Sequence, residues 1–397
     1  MLIVPDRVNI SPRAYLTPSL FVQGRKCLAR LAWASSDAAR LVPQDPSAIL
    51  GTALHRVQEQ ADRGELSDQA QTLEGAQKTV EDAARAAFDR AAGEALERAH
   101  PLIKMRYPRT SDLPRFYLQR ARSVEMAMEH IQASAPPGWP RATWERAAPP
   151  KLVEHSLASS DGKLRGRADC LDIAGQRIVD YKSGSGPAEN DYLESDSVGE
   201  DEKVQLLFYA ALARDNGITV GEGCIVRSNG RRVSCPLPAD EARVVVDEAR
   251  ILLARFNTAV TAGQSPDAMA SPSPTSCDRC SFRALCQPFW SESKPAWEVE
   301  VGGHAQMLVQ EAGNTGTPRA PTVLVRGPVT GGSVPLMTAT VSLPLRWIEP
   351  SVEPAQLIGR GLRLLHVRAE ETKEELRLRL DRERGYAWLL PESSAID

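Results

Sequence analysis

Hydrophobic and polar residues alternate with two different periods along the chain. Over residues 51–134, apolar positions recur every three or four residues in segments rich in Ala, Glu, Arg and Leu, which predicts several amphipathic helices. The sequence APPGWP at 135–140 ends them, because proline removes a backbone donor and fixes φ. We therefore expect a helical part over residues 51–140.

The period changes to two near residue 150. The sequences KLVEHSLA, KLRGRADCLDI and QRIVDYK alternate as strands do, and SSDG and AG between them are turn sequences. Further along, EKVQLLFYAALARD and ARVVVDEARILLARFNTAV are predicted helices, and CIVRSNGRRVSC is a predicted hairpin over Asn229-Gly230. Strands mixed with helices predict an α/β core over residues 150–262.

The pattern changes again after about residue 290. Short alternating runs such as PTVLVRG, LMTATVSL and ELRLRL are separated by glycine and proline. They predict a β-rich C-terminal domain over residues 291–397, a small barrel or sandwich of unknown role. Residues 1–290 are expected to form the other domain, and a length of 397 residues is ample for both.

Composition narrows the class of protein without identifying it. Apolar residues make up 42% and charged residues 25%, which is typical of a soluble globular protein. A net charge of −3 excludes a protein coated in basic charge, but not a nucleic-acid enzyme with one local basic groove. The chain shows neither a long apolar run nor the pattern of a signal peptide, so we expect a cytoplasmic protein without a membrane span.

One predicted hairpin carries the side chains that hydrolytic chemistry needs. Asp180 and Lys182 lie two apart on a strand and so project from the same face, and Asp169 lies on the preceding strand. Glu154, on the strand before that, can reach the same place through a metal or a water. Carboxylates hold Mg²⁺ (or Mn²⁺), which activates water, and a lysine orients that water or offsets charge. The alternative interpretation is a solvated Asp–Lys pair.

Three of the seven cysteines form a CxxCxxxxxC spacing over residues 277–286, at Cys277, Cys280 and Cys286. In an intracellular protein this spacing favours a metal site over a disulfide or three buried small side chains. A fourth ligand is needed for either zinc or an iron–sulfur cluster, and the spacing alone does not distinguish them. The cysteines expected in the core are Cys170, Cys224 and Cys235.

The sequence GRADCLDI followed by IVDYKSG resembles the core of the PD-(D/E)XK nuclease superfamily, RecB-type branch. The resemblance implies an α/β fold, with a restriction-endonuclease-like α/β/α arrangement around a mixed sheet and the helical part as an insertion. It assigns Asp169 to the first metal ligand, and Asp180 and Lys182 to the (D/E)xK pair. It matches Glu154 to a glutamate on the strand before.

Two helices extend the resemblance. Gln205 and Tyr209 in VQLLFYA match a QxxxY helix that packs against the site and contacts substrate. His55 in ILGTALHRVQE matches a GxxxH helix whose histidine is a further metal ligand. Without that resemblance, a single histidine on an apolar helix face is more often a core or surface residue.

One N-terminal cysteine together with CxxCxxxxxC resembles the iron–sulfur nucleases of that branch, namely the AddB-type recombination subunits and the CRISPR-adaptation exonucleases. The resemblance implies that Cys27 joins the three C-terminal cysteines in binding a [4Fe-4S] cluster, which holds the two ends of the nuclease fold together. A proline that often follows the N-terminal cysteine is replaced here by Leu28.

These features predict a Mg²⁺-dependent DNA nuclease, specifically an exonuclease on single-stranded or end-containing DNA. The resemblance implies a role in DNA repair, recombination or defence against foreign DNA. Binding is expected to be independent of base sequence, and because no GxxxxGK[ST] motif occurs, unwinding requires a partner such as a helicase or defence complex. The candidate phosphate contacts are Arg25, Lys26, Arg30, Lys104, Arg106, Arg109, Arg279 and Arg283.

Two other functions fit the same motifs. The first is a non-catalytic iron–sulfur scaffold that binds DNA and recruits a partner such as a helicase. The second is a zinc protein with the same fold.

Overall fold

The computed structural model describes residues 2–5, 7–66, 73–134, 151–182, 197–298, 302–317, 320–345, 353–372 and 375–391. The chain forms two compact units. The first unit comprises Arg13–Val22 and Gln44–Arg255, and the second unit comprises Met1–Pro12, Gln23–Pro43 and Phe256–Asp397. Residues 135–140 of the predicted helical part lie outside the described residues. The domain boundary after residue 290 stays a prediction.

Helices form where the 3.6-residue pattern predicts them, and α3 shows how one of them begins. The third helix starts at Pro46 because the side chain of Asp45 accepts a hydrogen bond from Ser47 N at 2.8 Å and proline needs no donor there. No helix in the described ranges is long and apolar enough to cross a membrane. The helices are α1 (Pro18–Lys26), α2 (Leu28–Ala34), α3 (Pro46–Asp62), α4 (Leu73–Glu97), α5 (Pro101–Arg106), α6 (Phe116–Ser134), α7 (Glu200–Asp215), α8 (Ala239–Thr261), α9 (Pro274–Cys277) and α10 (Gln287–Glu292).

The strands form one sheet in each unit. Those of the first unit are β2 (Lys151–Ala158), β3 (Arg165–Asp172), β4 (Arg177–Lys182), β5 (Glu222–Arg227) and β6 (Arg232–Pro236). Those of the second unit are β1 (Leu2–Ile3), β7 (His304–Leu308), β8 (Glu311–Thr317), β9 (Ala320–Gly332), β10 (Thr338–Pro344), β11 (Gly361–Leu365), β12 (Val367–Glu371), β13 (Leu376–Leu380) and β14 (Tyr386–Leu389).

The sheet of the first unit has the order β2-β3-β4-β5-β6. Strands β4 and β5 pair in parallel, and all other neighbours are antiparallel, so the sheet is mixed. The parallel pair requires a crossover, which α7 provides. Phe208 of α7 is fully buried, and its ring lies 5.8 Å from that of Phe21. The α/β fold with a mixed sheet is confirmed.

The second unit contains the predicted β-rich region, which is also confirmed. Its strands follow the order β1-β14-β11-β7-β9-β10-β13-β12, and β8 pairs with β9. The long β9 pairs with β7 near one end and with β10 along the rest. Alternation produces the core, because Leu376 and Leu378 are buried while Arg377 and Arg379 point to solvent.

One histidine of this sheet is a core residue with an unusual titration. His304 is 0% exposed, and its ring lies 4.5 Å from that of Phe289. Its Nδ1 is 3.1 Å from the carbonyl oxygen of Gly302, and its Nε2 has no partner among the described residues. Burial, only partly offset by that hydrogen bond, lowers the pKa of His304 to about 4.

The pKa of His304 predicts a loss of stability in acid. The unfolded state binds a proton at His304 near pH 6.5 and the folded state only near pH 4, so stability falls as the pH drops through this interval. The expected contribution is about 3 kcal/mol. The measurement compares urea unfolding of the wild type and His304→Asn at several pH values. A stability difference that stays constant from pH 7 to 4 would contradict the assignment.

Candidate active site

Three side chains of the first unit bring potential metal-ligating atoms together. One atom each of His55, Glu154 and Asp169 lies within 4.8 Å of the other two. Helix α3 supplies the histidine, and Glu154 and Asp169 lie between two paired positions of β2 and β3, Val153 with Cys170 and His155 with Ala168. Two carboxylates and an imidazole form a donor set that fits a divalent ion, and the carboxylates favour Mg²⁺ or Mn²⁺.

The backbone of Glu154 is strained at this point. Its φ is +52°, in the left-handed region, although it lies in the middle of β2. A residue other than glycine adopts that backbone region at a cost of about 1–2 kcal/mol. The carboxylate Oε2 lies 2.6 Å from Nε of Arg167. Such strain persists where the surrounding structure fixes a side chain for function.

Asp180 and Lys182 lie beside this group, on the same face of β4. Lys182 Nζ is 2.8 Å from Asp180 Oδ2 and donates a hydrogen bond to Gln205 Oε1 at 3.0 Å. The carboxylate of Asp180 and the side-chain amide of Gln205, which α7 supplies, therefore hold the Lys182 ammonium group in place. Asp180 is not one of the three clustered ligands, but it directly follows Val179, which pairs with Cys170, the neighbour of Asp169.

Burial and mutual charge shift the pKa values of the site. Burial raises the pKa of Asp180, and the nearby Lys182 only partly offsets this. Burial alone would raise the pKa of Asp169, but the hydrogen bond and charge of His55 and the hydrogen bond from the Tyr181 backbone amide outweigh this effect and lower it. Burial opposes protonation of His55 and Lys182, but Asp169 and Asp180 respectively raise their pKa values above the ordinary ones. Lys182 therefore stays charged, as a group that offsets transition-state charge must.

Tyr209 supports β3 rather than contacting the ligand atoms. Its hydroxyl donates to the carbonyl oxygen of Arg167 at 2.9 Å. A Cβ on Gly166 would lie 2.7 Å from the tyrosine ring, so the glycine allows α7 to approach β3. Burial raises the pKa of Tyr209, which keeps the hydroxyl a neutral donor.

Sequence reasoning missed Asp62, the last residue of α3. Its side chain is only 1% exposed, accepts a hydrogen bond from the Tyr181 hydroxyl at 2.7 Å and lies 3.1 Å from Lys151 Nζ. The Tyr181 backbone N–H in turn donates to Asp169 Oδ2 at 2.9 Å. This chain of contacts fastens the helix of His55 to the strands of the carboxylates. The one available signal was a tyrosine hydroxyl on the inner face of β4, which needs a buried partner.

A cleft of about 760 Å³ opens at the three clustered ligands and runs between α3, α4, β2 and β3. Sequence reasoning missed the arginines of its wall, which stand among an equal number of carboxylates, because the facing sides of two helices emerge only from their packing. The four arginines that line the cleft are Arg56, Arg90, Arg98 and Arg167.

A family model of the PD-(D/E)XK nuclease superfamily matches residues 16–287. The chain belongs to the PD-(D/E)XK nuclease superfamily. A search of curated proteins found no match. The matched range contains every predicted site residue, and strands β7–β14 lie beyond its end. Members of this superfamily are metal-dependent nucleases, and the His55, Glu154 and Asp169 group is consistent with that chemistry.

The second unit of this PD-(D/E)XK nuclease contains a pocket lined by Cys27, Cys277, Cys280 and Cys286. Cys280 N donates to the Cys277 carbonyl oxygen at 3.1 Å, which closes a tight turn. Arg279 occupies the third position of that turn with φ +51°, where glycine is ordinarily preferred. The turn brings two cysteines to one side of the pocket at the expense of backbone strain.

Helix α2 brings Cys27 to the same pocket. Arg30 donates to the carbonyl oxygens of Ser276 and Asp278 at 2.5 and 2.6 Å, and Ser271 N donates to Cys27 Sγ at 3.4 Å. The expectation that Arg30 and Arg283 contact phosphates is wrong. They are 7% and 6% exposed, because their guanidinium groups are used inside the fold.

The four sulfurs are too widely spaced for a compact tetrahedral site. In the described part of the chain, no three cysteine sulfurs lie within 4.8 Å of one another. A tetrahedral zinc with Zn–S bonds of about 2.3 Å holds its sulfurs about 3.8 Å apart. Cys170 and Cys224 are buried on strands, as predicted, and Cys235 is half-buried.

Proposed function

We propose that this PD-(D/E)XK nuclease hydrolyses DNA phosphodiester bonds with Mg²⁺ or Mn²⁺, as an exonuclease on single-stranded or end-containing DNA. The observation that carries the proposal is the convergence of His55, Glu154 and Asp169 next to the Asp180–Lys182 pair, at an arginine-lined cleft. Carboxylates next to a held ammonium group are the arrangement that phosphodiester hydrolysis requires.

Each site residue has a distinct proposed role. His55, Glu154 and Asp169, with Asp180 alongside, would hold a divalent ion that lowers the pKa of a coordinated water and neutralises the scissile phosphate. Lys182 orients the attacking water or offsets charge on the phosphate. Gln205 and Asp180 keep the ammonium group in position, and Tyr209 supports β3.

The cleft supports a single strand or a frayed end as substrate. A volume of about 760 Å³ is typical of pockets that take small groups, not a duplex. Arg56 and Arg167 each lie 2.6 Å from a glutamate. In the described ranges Arg90 has no ion-pair partner, and Arg98 lies 3.5 Å from Glu94. Arg90 and Arg98 are therefore the groups best placed to bind phosphates.

Replacing both arginines tests that role. In Arg90→Ala/Arg98→Ala, we expect weaker binding of single-stranded DNA and a salt slope, log K against log [salt], reduced by about 1.4, since each contact on a single strand contributes about 0.7. Fluorescence anisotropy in Ca²⁺ measures both quantities. The matched control is Arg85→Ala on the helix that carries Arg90, where Arg85 pairs with Glu81 and Asp82. An unchanged slope in the double variant would refute the contact.

We further propose that Cys27, Cys277, Cys280 and Cys286 bind a structural [4Fe-4S] cluster. The support for it is that all four cysteines line one pocket. Membership of the RecB-type branch is proposed on the same motifs. With it comes a cytoplasmic role in DNA repair, recombination or defence against foreign DNA, beside a helicase or defence-complex partner.

A cleavage assay separates this proposal from the non-catalytic scaffold. The anaerobically purified protein is incubated with Mg²⁺ or Mn²⁺ and end-labelled linear single-stranded DNA, duplex DNA or RNA. Circular single-stranded DNA is the matched substrate without ends, and EDTA is the metal control. We expect digestion of linear single strands and resistance of the circle. Equal cleavage of the circle would exclude an exonuclease, and DNA binding without any cleavage would favour the scaffold.

A further inference from the structure

The sheet of the second unit carries a buried arginine whose partners are all neutral. Arg363 of β11 is 1% exposed. It donates from Nε to Gln306 Oε1 and from Nη1 to the Ala284 carbonyl oxygen, each at 2.8 Å, and from Nη2 to Gln287 Oε1. Its guanidinium carbon lies 5.2 Å from the centre of the Trp290 ring. No carboxylate in the described ranges forms an ion pair with it.

Such a charge requires compensation from nearby. An isolated cation in the interior is costly unless an anion lies close to it. Burial lowers the pKa of Arg363 to about 10, against the opposing charges of Asp267 and Cys286. Two of its three acceptors lie on either side of Cys286 in sequence, because Ala284 is two residues before it and Gln287 directly follows it.

A second buried guanidinium group lies in the same region. Arg30, in the lining of the four-cysteine pocket, donates to two carbonyl oxygens and forms no ion pair within the described residues. Within the described residues neither guanidinium group therefore has an ion-pair partner, and Asp267 is the carboxylate whose charge acts on Arg363. Ionised thiolates on a metal centre would provide the missing negative charge, because metal binding deprotonates cysteine.

We propose that Arg363 supplies positive charge that compensates the thiolates of the four-cysteine site, so that the C-terminal sheet sets the site's metal retention and reduction potential. The inference rests on the proposed cluster. It assigns a role to strands that lie beyond the family match. Reduction adds one negative charge to a cluster, so a nearby cation favours the reduced form and raises the potential.

A purely mechanical role for Arg363 makes a different prediction. If Arg363 only ties the loop to the sheet, any change that keeps its hydrogen bonds leaves the metal site unaffected. Gln306→Glu is such a change, since it preserves the acceptor for Nε and adds one negative charge. Gln310→Glu is the matched control, because it makes the same substitution at an exposed position four residues along the chain.

The test uses the full chain purified anaerobically. Spectroelectrochemistry gives the midpoint potential, and a chelator gives the rate of metal loss. In Gln306→Glu we expect a more negative potential and faster metal loss with an unchanged melting temperature, and no effect in Gln310→Glu. Arg363→Gln is also expected to have a more negative midpoint potential and faster metal loss, together with a lower melting temperature.

The outcomes separate this inference from the proposed cofactor. A wild type that retains neither iron nor zinc would overturn both. A wild type with a cluster, and Gln306→Glu with unchanged potential and metal loss, would overturn the role of Arg363 alone. If the wild type holds zinc, the iron–sulfur proposal fails and the rate of metal loss alone decides about Arg363.

Discussion

Lys182→Ala is expected to lower the rate of Mg²⁺-dependent DNA cleavage by about 10²–10³-fold, the effect of removing one group that stabilises developing charge. Lys182 is held at its place by Asp180 and Gln205, and its pKa is raised, so it delivers a fixed positive charge. Single-turnover cleavage of linear single-stranded DNA measures the chemical step. Binding of the same DNA in Ca²⁺ should change little.

Removal of Lys182 also leaves the buried Asp180 without its cation, so a loss of folding must be separated from a loss of chemistry. Lys182→Gln also removes the charge but keeps a polar contact to Asp180, so it should lower the melting temperature less than Lys182→Ala while showing the same loss of cleavage rate. Lys203→Ala, on the same helix as Gln205, removes a lysine that pairs at the surface with Glu241 and should be fully active. Wild-type rates in Lys182→Ala would remove the assigned site.

The alternation of apolar and polar residues predicted much of the sheet of the first unit and part of the candidate active site. In β4 the spacing of two residues placed Asp180 and Lys182 on one face, and the structure has them 2.8 Å apart. The QxxxY helix of Gln205 and Tyr209 formed where the helical period predicted it, and Gln205 contacts Lys182. These features depend on residues that are close in sequence, or on the single crossover by which α7 follows β4.

Features that depend on distant packing escaped prediction. Asp62 and Tyr181 are 119 residues apart in sequence, and nothing in either segment specifies their contact. The left-handed backbone of Glu154 is imposed by the surrounding sheet, because glutamate has no preference for it. Arg30 looks like a surface charge in sequence, and only the carbonyl oxygens of the cysteine loop reveal why it is buried.

Cys280→Ser is expected to yield colourless, poorly soluble protein with a strongly reduced melting temperature. A centre bound by Cys27 and the C-terminal cysteines closes a loop of about 250 residues, and a cross-link of that length restricts the unfolded chain by roughly 5 kcal/mol. Loss of one ligand from a metal site of four removes that cross-link together with the binding free energy. Iron content, visible absorbance and thermal unfolding measure the three consequences. Cys235→Ser, at a half-buried cysteine outside the pocket, is the matched control and should keep its colour.

The same measurements on Cys27→Ser decide whether the N-terminal segment contributes the fourth ligand. Cys27 lines the pocket and accepts a hydrogen bond from Ser271 N, so its loss should bleach the protein as completely as loss of Cys280. If Cys280→Ser bleaches and Cys27→Ser stays coloured and stable, the centre has another fourth ligand, and the long loop is not closed by it. If both variants stay coloured and stable, the four cysteines are not the ligands, and the nuclease site of the first unit must be judged without them.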